Sequence, residues 1–347
     1  MAERKVRFGI IGCGMIAEFH CTGIEKCSDA ELFAVSDSVA DRAQQFAAKH
    51  NVPHWFDDFN KMVVLPDLDA VCVCTPSGLH GEAVIAAANA RKHVLCEKPL
   101  EVTLGKIDAM LGTVRRNGVK MGAIFQSRVQ PDCRRVKQAL TGGLLGRILQ
   151  ADLRTKWYRG QEYYDSGAWR GTFALDGGGC LMNQGVHGID LYQWLVGPVT
   201  SVFGKVATVN HKIEVEDSAY AIVELAGGGR GAIIGSTCAY PGFPTRIETH
   251  GEKGSICLED ARIVSWDIMG QEKPKDLNIG GGPGVGGAGD PKAISSLGHE
   301  TLVADLAHAI LEDRKPMISG AEARRAVAII LAIYQSSREG RAVDIKY

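Results

Sequence analysis

Residues 6–17 read VRFGIIGCGMIA, a short apolar run that ends in a glycine turn and continues into a helical pattern. The turn has the form G-x-G-x-x-A, with Gly12, Gly14 and Ala17 at its fixed positions. The first glycine permits a tight turn, the second lets another group approach the backbone, and the alanine lets the helix pack closely on the strand. The stretch therefore predicts a strand–turn–helix unit whose helix begins with open backbone N–H groups.

Short apolar runs alternate with helical patterns through residue 126. The runs are Val6–Ile11, Glu31–Ser36, Ala70–Cys74, His93–Cys96 and Lys120–Phe125. The helical patterns between them are Met15–Lys26, Val39–His50, Leu79–Ala90 and Leu104–Asn117. This alternation is typical of α/β proteins with a parallel sheet covered on both faces. It predicts a doubly wound Rossmann domain over residues 1–126, with its ligand at the carboxyl ends of the strands.

The second part of the chain has longer runs with alternating polarity, which predict an antiparallel sheet that is polar on one face. These runs are Leu149–Tyr158, Val202–Ile213, Asp217–Leu225, Gly231–Tyr240 and Thr245–Thr249. A helical stretch, Cys180–Leu195, interrupts them, and two helices over Glu300–Leu311 and Ala321–Ser336 close the chain. Ser319 with Glu322 forms a capping-box pattern before the last helix. The glycine-dense stretch Ile279–Pro291 is either a loop that closes over a ligand or a connector.

Charge and cysteine usage exclude several classes of protein. Lysine and arginine (39) nearly balance aspartate and glutamate (40), giving a net charge of −1 without a basic run, so a nucleic-acid partner is not expected. No uninterrupted apolar stretch approaches the ~18 residues of a membrane span, and no secretory leader is expected. The ten cysteines form neither a CxxC pair nor a cluster with zinc spacing. We therefore expect reduced, buried thiols, no metal and a cytoplasmic location.

Asp37, together with the G-x-G-x-x-A turn, predicts a dinucleotide-binding site. It ends the second strand, 20 residues after Ala17, where a carboxylate can accept hydrogen bonds from an adenosine ribose. Its charge favours NAD, since it would repel a 2′-phosphate. Ser38 follows, and Arg42 either answers such a phosphate in NADP or is a solvated helix residue. The predicted cofactor contacts of this region are Gly12, Gly14, Met15, Ile16, Asp37, Ser38 and Arg42.

Two segments carry side chains suited to proton transfer. Lys98, in CEKPL at the end of the fourth strand, can reach a substrate hydroxyl, and burial beside an oxidised nicotinamide favours its neutral form. Asn183, His187 and Asp190 follow a run of three glycines at i, i+4 and i+7, so they share a helix face. His187 could exchange the hydroxyl proton, and Asp190 could instead anchor the helix.

Three further residues are candidates for ligand contacts. Trp169 and Arg170 combine an aromatic plane with a guanidinium, which suits a sugar face and an anionic or hydroxylated group, although Trp169 could be packing and Arg170 could touch cofactor phosphate. His80 follows the third strand and either lines the cofactor cleft or belongs to the start of the helix.

Four motifs together resemble the Gfo/Idh/MocA family of oxidoreductases. They are GCGMIA (12–17), TPSGLH (75–80), CEKP (96–99) and GGGCLMNQGVHGIDL (177–191), in this order and spacing. The resemblance covers nearly the whole chain. It implies a Rossmann domain followed by an α/β domain, residues 127–347, with a large open, mostly antiparallel sheet that mediates substrate binding and homodimer or homotetramer contacts. The closing helices could pack back on the first domain.

The resemblance also implies a reaction and a set of site residues. The reaction is reversible NAD(P)-dependent hydride transfer at a secondary hydroxyl of a sugar, polyol or sugar derivative. Lys98 and His187 would be the catalytic pair, with Trp169, Arg170 and Asn183 contacting the substrate. The residues lining the cofactor would be Thr75, Pro76, His80, Glu97, Lys98 and Gln126.

One position departs from part of this family. Inositol dehydrogenases carry an aspartate four residues before the histidine, whereas this chain has Asn183, as nucleotide-sugar 3-dehydrogenases do. A neutral amide cannot share a proton with His187, so Lys98 becomes the expected principal acid/base and inositol is in doubt. The alternative function is a regulator of the same fold that senses a dinucleotide without catalysis. The presence of both Lys98 and His187 favours the enzyme.

Overall fold

The computed structural model describes residues 4–280, 287–289 and 295–347, and the chain divides into two compact units. The first unit comprises Met1–Gln126 and Ser296–Arg324. The second comprises Ser127–Ser295 and Arg325–Tyr347. The predicted glycine-dense loop Ile279–Pro291 lies outside the described residues except at 279–280 and 287–289.

The first unit contains a parallel sheet with the strand order β3-β2-β1-β4-β5-β6. Its strands are β1 (Val6–Ile11), β2 (Ala30–Ser36), β3 (His54–Phe56), β4 (Ala70–Val73), β5 (His93–Cys96) and β6 (Met121–Ala123). Its helices are α1 (Met15–Lys26), α2 (Ala40–Lys49), α3 (Phe59–Val63), α4 (His80–Asn89), α5 (Leu104–Asn117) and α9 (Leu297–Leu311). The strand order reverses between β1 and β4, which confirms the predicted doubly wound fold and sets a ligand crevice at their carboxyl ends.

The second unit contains an eight-stranded sheet with the order β13-β12-β11-β7-β10-β9-β8-β14. Its strands are β7 (Ile148–Lys156), β8 (Val199–Ala207), β9 (Ser218–Leu225), β10 (Arg230–Ser236), β11 (Arg246–Gly251), β12 (Gly254–Glu259), β13 (Arg262–Ile268) and β14 (Val343–Asp344). The helices placed wholly in this unit are α6 (Pro131–Thr141), α7 (Gln161–Asp165) and α8 (Val186–Val196). Only β7 and β10 pair in parallel within this described sheet, so the predicted, mostly antiparallel sheet is confirmed.

The last helix, α10 (Gly320–Glu339), begins in the first unit and continues into the second. The predicted capping box precedes it: the Ser319 backbone N–H donates to Glu322 Oε2 at 3.1 Å, and the Glu322 N–H donates to Ser319 Oγ at 3.3 Å. These two bonds satisfy backbone donors that the first turn of a helix otherwise leaves without partners.

The ten cysteines are free thiols, and nine of them are buried, as expected of small apolar core residues. Among the described residues, no helix combines the length and the apolar character needed to cross a bilayer.

Helix α9 packs closely on α1 through a glycine. A Cβ atom added at Gly23 would lie 3.2 Å from the Glu300 Cα and 3.1 Å from the Val303 Cγ2. At the end of the same interface, Lys26 Nζ pairs with Glu300 Oε1 at 2.8 Å. An alanine at this position would therefore require α9, or the Val303 side chain, to shift by a few tenths of an ångström.

Two glycine-to-alanine changes in helices of the first unit are expected to have opposite effects. Gly23→Ala should lower the free energy of unfolding by roughly 1 kcal/mol, since the added methyl group forces α1 and α9 apart. Gly105→Ala, in α5, should raise it by about 0.5 kcal/mol, because an added Cβ there meets no atom within 4 Å. Urea denaturation of both variants measures the difference. A gain in stability for Gly23→Ala would contradict the close packing of the two helices.

Candidate functional site

The glycine turn after β1 leaves a helix N-terminus open to a ligand. Gly12 has a φ of +94°, and a Cβ there would lie 2.8 Å from the Cys74 carbonyl oxygen, so this position needs glycine. An added Cβ at Gly14 meets no atom within 4 Å, and α1 has no side-chain cap. Met15 and Ile16 form the first turn of α1. The N–H groups of this turn and the partial positive charge of the helix end suit a pyrophosphate.

Asp37 lies at the end of β2, beside the glycine turn. Its Oδ2 accepts a hydrogen bond from the Cys13 N–H at 2.9 Å, and its Oδ1 accepts one from the Val39 N–H at 2.9 Å. Arg42 Nη1 lies 3.2 Å from both carboxylate oxygens. Arg42 is thus an ion-pair partner of Asp37, while Ser38 is exposed. Arg42 therefore contacts the Asp37 carboxylate, in addition to being exposed on the helix.

Two buried polar atoms at the same sheet edge have no hydrogen-bond partner among the described residues. They are Thr75 Oγ1, after β4, and Gln126 Oε1, after β6. Buried polar atoms are almost always satisfied, so these two are available to a ligand. With Pro76 next to Thr75 and the open glycine turn, the residues present at this edge fit a dinucleotide.

His80 ties two strand ends together beneath this edge. Its ring is buried, with Nδ1 2.8 Å from the Pro99 carbonyl oxygen and Nε2 2.9 Å from the Thr75 carbonyl oxygen. Burial lowers the pKa of His80, although both carbonyl contacts oppose that shift. These contacts show that His80 links the segments after β4 and β5, and its predicted contact with a cofactor stays a prediction.

Glu97 and Lys98 follow β5 directly. The Glu97 side chain is buried, and its Oε1 lies 2.9 Å from His20 Nε2 and 3.1 Å from His299 Nε2. Its Oε2 accepts a hydrogen bond from the Lys98 backbone N–H at 3.2 Å. Burial would raise the pKa of Glu97, but the hydrogen bonds from the two histidines hold it well below its ordinary value. Lys98 itself is half-buried.

The segment with Asn183 and His187 begins with a π-helical turn, Cys180–Gly185, which continues directly into α8. Asn183 and His187 are half-buried, whereas the three residues between them are buried, so these two are the accessible polar side chains of this stretch. Asp190 is buried, and its oxygens accept from Arg128 Nε at 2.7 Å and Nη2 at 2.6 Å. Asp190 therefore anchors the helix.

A buried carboxylate, Glu216, holds the start of this segment. It accepts hydrogen bonds from the N–H groups of Gly179 at 3.0 Å and Leu181 at 2.9 Å, and from the Tyr334 hydroxyl at 2.8 Å. Burial raises the pKa of Glu216 although these donors oppose the shift. A Cβ at Gly179 would lie 1.8 Å from the Glu216 carbonyl oxygen, and one at Gly178 would lie 2.1 Å from the Tyr334 hydroxyl oxygen. These glycines therefore serve close packing.

Asn183 has a carboxylate partner that the sequence analysis missed. Its Nδ2 donates to Asp176 Oδ1 at 2.5 Å, and Asp176 Oδ2 accepts the Gly171 N–H at 2.9 Å. Asp176 is buried and stands just before the glycines, in a position without any periodic or motif signal. The bond fixes the orientation of the amide, whose oxygen accepts a hydrogen bond from Gln184 Nε2 at 3.2 Å and keeps a second lone pair for a further donor.

Trp169 and Arg170 belong to an aromatic cluster. The Arg170 guanidinium carbon lies 4.3 Å from the Tyr163 ring centre and 4.5 Å from the Trp169 ring centre. Arg170 Nη1 also donates to the Tyr163 hydroxyl at 2.5 Å. A cleft of about 700 Å³ lies beside this cluster, with Arg170, Lys212 and Glu214 among its lining residues. The cluster therefore offers a cation, aromatic faces and concave surface to a polar ligand.

Comparisons with known proteins agree with this geometry. Residues 6–125 match a family model described as an oxidoreductase family with an NAD-binding Rossmann fold, and residues 133–257 match the GFO/IDH/MocA C-terminal domain. The chain is 30% identical over 282 residues to myo-inositol 2-dehydrogenase from Thermotoga maritima, covering 78% of this chain and 81% of that protein. It is 31% identical over 253 residues to D-glucoside 3-dehydrogenase from Escherichia coli, covering 66% and 69%.

A solved structure matches both units. The WlbA dehydrogenase from Bordetella pertussis, in complex with NADH and UDP-GlcNAcA, has a TM-score of 0.89 and 31% sequence identity. The match covers 99% of this chain and 100% of that chain. The predictions of the family and of an NAD-dependent oxidoreductase are thereby confirmed.

In the glycine turn, one substitution is expected to weaken NADH binding and another to lower the stability of the fold. Gly14→Ala should weaken NADH binding at least about tenfold, because the methyl group occupies the space that a pyrophosphate needs, and should leave stability within about 0.5 kcal/mol. Gly12→Ala should destabilise the protein by roughly 1–3 kcal/mol through its positive φ and the Cys74 contact. NADH fluorescence titration and thermal unfolding measure the two effects. Unchanged NADH affinity in Gly14→Ala would contradict the assigned phosphate position.

Proposed function

Because the chain belongs to the Gfo/Idh/MocA family of NAD-binding oxidoreductases, we propose that it oxidises a secondary hydroxyl of a sugar, polyol or sugar derivative. The observation that carries this proposal is the edge of the first sheet, where the open glycine turn, Asp37 and Lys98 follow the parallel strands β1, β2 and β5. The similar proteins from Thermotoga maritima and Escherichia coli are named as dehydrogenases of an inositol and of a glucoside, which supports this substrate class.

The proposed chemistry divides between the cofactor and the chain. Bound NAD supplies a nicotinamide ring that accepts a hydride from the substrate carbon. Lys98 supplies a neutral amine that takes the proton of the substrate hydroxyl, so that the carbon loses a hydride and its oxygen loses a proton. Arg42 balances the charge of Asp37 but leaves the carboxylate in place at the end of β2, which favours NAD over NADP.

The second unit supplies the proposed substrate contacts. His187 assists proton transfer, and Asn183 accepts a hydrogen bond from a substrate hydroxyl through the amide oxygen that Asp176 orients. Trp169 and Arg170 bind a sugar face and a polar or anionic substituent. The buried oxygens Gln126 Oε1 and Thr75 Oγ1, which have no partner among the described residues, form hydrogen bonds with the bound cofactor.

An anionic nucleotide-linked sugar is the narrower candidate substrate. It is supported by the 31% identity, over nearly the whole chain, to a dehydrogenase crystallised with UDP-GlcNAcA. The cleft of the second unit is lined by two cations, Arg170 and Lys212, and by two carboxylates, Asp165 and Glu214, so the support for an anionic ligand comes from the relative and not from the charge of the cleft. A panel containing UDP-GlcNAcA, myo-inositol and a D-glucoside, assayed by the absorbance of reduced nicotinamide, tests the substrate class. Tight NAD binding without turnover of any secondary alcohol would favour the regulator instead.

We also propose a cytoplasmic location, which the ten free thiols support.

We further propose that the chain forms a homo-oligomer through the open sheet of the second unit. One face of the large sheet exposes Phe203, Tyr220 and Ile222 on the paired strands β8 and β9. Farther across the sheet, Arg246 pairs with Glu248 and Glu259. An exposed apolar patch with a charged patch elsewhere on the same sheet suits a self-complementary contact between two copies of the chain.

Substitution of Lys98 tests the proposed proton transfer. Lys98→Ala should lower turnover by about 10²- to 10⁴-fold with NADH binding retained, because the acid/base group is lost. Lys98→Arg should be equally impaired, since a guanidinium keeps the charge but does not give up its proton. Steady-state kinetics with the best substrate of the panel and NADH titration provide the comparison. Near-normal turnover in either variant would refute the role of Lys98.

The sheet contact is tested by charge insertion. Ile222→Lys should reduce the molar mass in solution measured by light scattering, because it buries an ammonium in the apolar part of the contact. Val64→Lys changes an exposed apolar residue of the first unit and serves as the control, which should leave the mass unchanged. A monomeric wild-type protein, or an oligomer insensitive to Ile222→Lys, would contradict this surface assignment.

A further inference from the structure

We propose that His20 and His299 are positioning residues of the redox site, which together hold Glu97 as a buried carboxylate that fixes the turn carrying Lys98. This inference rests on the proposed role of Lys98 as the proton acceptor. Neither histidine belongs to the motifs by which the cofactor and substrate residues were identified, and they are 279 positions apart in the chain, His20 on α1 and His299 on α9.

The three side chains form a compact buried group in the first unit. The side chains of His20, Glu97 and His299 are 0%, 6% and 2% exposed. Both imidazole Nε2 atoms face the same carboxylate oxygen, and the two rings meet edge to face with their centres 5.4 Å apart. One oxygen of Glu97 thus receives two ring donors from two different helices.

The hydrogen-bond partners determine the protonation of the group. A carboxylate can only accept, so each ring must carry its proton on Nε2. The Nδ1 atoms of both rings are buried and have no partner among the residues that the structure describes. A second proton on either ring would bury an N–H group without an acceptor, which favours two neutral imidazoles around one anion. Burial likewise lowers the pKa of His20, against the opposing effect of Glu97.

The surroundings of the two Nδ1 atoms also argue against a metal ion at this cluster, although two histidines and a carboxylate are typical ligands of several metals. A metal bound through both Nε2 atoms would place each ring proton on Nδ1, where it would be buried without an acceptor among the described residues. The group is therefore a hydrogen-bonded triad whose net charge is that of one carboxylate.

Because its carboxylate is held in place, Glu97 also fixes the backbone at Lys98. While Oε1 is held by the two rings, Oε2 accepts the backbone N–H of Lys98, the residue that follows. The carboxylate group cannot rotate without breaking both sets of bonds. The direction in which the chain leaves β5, and with it the base of the Lys98 side chain, is therefore set by contacts made on the opposite side of Glu97.

Two glycines bring His299 to this place. Gly23 on α1 lies against the Glu300 Cα, and a Cβ at Gly298 would lie 2.2 Å from the Gln126 Cβ. The start of α9 is thus packed both on α1 and on a predicted cofactor residue. Such close packing is what lets a helix that is remote in sequence reach the carboxylate behind Lys98.

The experiment compares donor-removing and donor-keeping variants. His20→Leu and His299→Leu remove a ring donor, whereas His299→Gln keeps an N–H group at a similar distance. His93→Leu is the matched control, because His93 begins the same strand and its Nδ1 accepts the Lys120 N–H at 2.9 Å, but it lies at the far end from Glu97. Hydrogen exchange of a peptide covering residues 96–100 is measured in each variant, together with kcat and KM for NAD.

We expect the two leucine variants to exchange amide hydrogen in this peptide at least about fivefold faster than wild type, and the His93→Leu control to match wild type. Their kcat should fall by about 10- to 100-fold with a smaller change in KM for NAD, because the lysine is misplaced while the phosphate site is intact. His299→Gln should recover most of both properties.

Two results would overturn the inference: wild-type exchange at residues 96–100 in a folded His299→Leu variant, or an equal loss of kcat in His93→Leu. The hydrogen-exchange arm needs no substrate. Altered exchange together with an absence of turnover in the wild-type protein would therefore reject the proposed function while leaving the hydrogen-bonded triad in place. If the leucine variants do not fold, His20→Phe and His299→Phe, which keep an aromatic ring without a donor, replace them in the same two measurements, and wild-type exchange at residues 96–100 in these variants would overturn the inference.

Discussion

The close approach of the turn after β1 to the end of β4 is the constraint on which the first unit depends. Gly12 adopts a φ of +94° with its α-carbon against the Cys74 carbonyl, a geometry that a side chain would block. Because β1 pairs with β2 on one side and with β4 on the other, this turn stands where the strand order reverses. The segments that carry Asp37, Thr75 and Lys98 consequently end at one edge of the sheet, which is the edge where a dinucleotide binds in this fold.

Buried carboxylates fix the functional segments in both units, but their environments differ. Glu97 is surrounded by imidazole donors that hold its pKa well below the ordinary value, so it is a permanent anion behind Lys98. Glu216 receives two backbone N–H groups and a tyrosine hydroxyl at the start of the π-helical turn, yet burial raises its pKa. Asp176 fixes the amide of Asn183. In each case a carboxylate that does not itself react sets the orientation of a proposed reacting or binding group.

The elements that could be predicted from the sequence are those marked by local chemistry. The bounds of α1, α5 and β5 agree with the predictions, because glycines, an N-terminal threonine cap and the EKP turn mark their ends. The short strand His54–Phe56 and helix Phe59–Val63 were missed, since three to five residues are too few to show a period. The π-helical turn was predicted as part of one α-helix, because Cys180–Gly185 has helical composition and no local motif marks the change in spacing or the bond from the Leu181 N–H to Glu216.

The candidate site also combines residues that a local motif marks with residues that only contacts distant in the chain identify. Motif residues such as Gly14, Asp37 and Lys98 were identifiable because a short segment carries both the residue and its context. His20 and His299 were not, since what relates them to Glu97 is a contact between helices far apart in the chain. Helical spacing put Asp190 on the same face as His187 and left open whether it anchors the helix, and its bonds with Arg128 show that it does.

A crystal structure of the complex with NADH would test the assignment of Lys98. We expect the pyrophosphate to lie over Gly14 at the start of α1 and the nicotinamide ring to reach the ends of β4 and β5. There, Lys98 Nζ should lie within hydrogen-bond reach, about 3 Å, of a hydroxyl placed on a substrate carbon facing the ring. A nicotinamide bound away from the turn after β5, or a Lys98 side chain directed away from the ring, would contradict the assignment of Lys98 and the reaction derived from it.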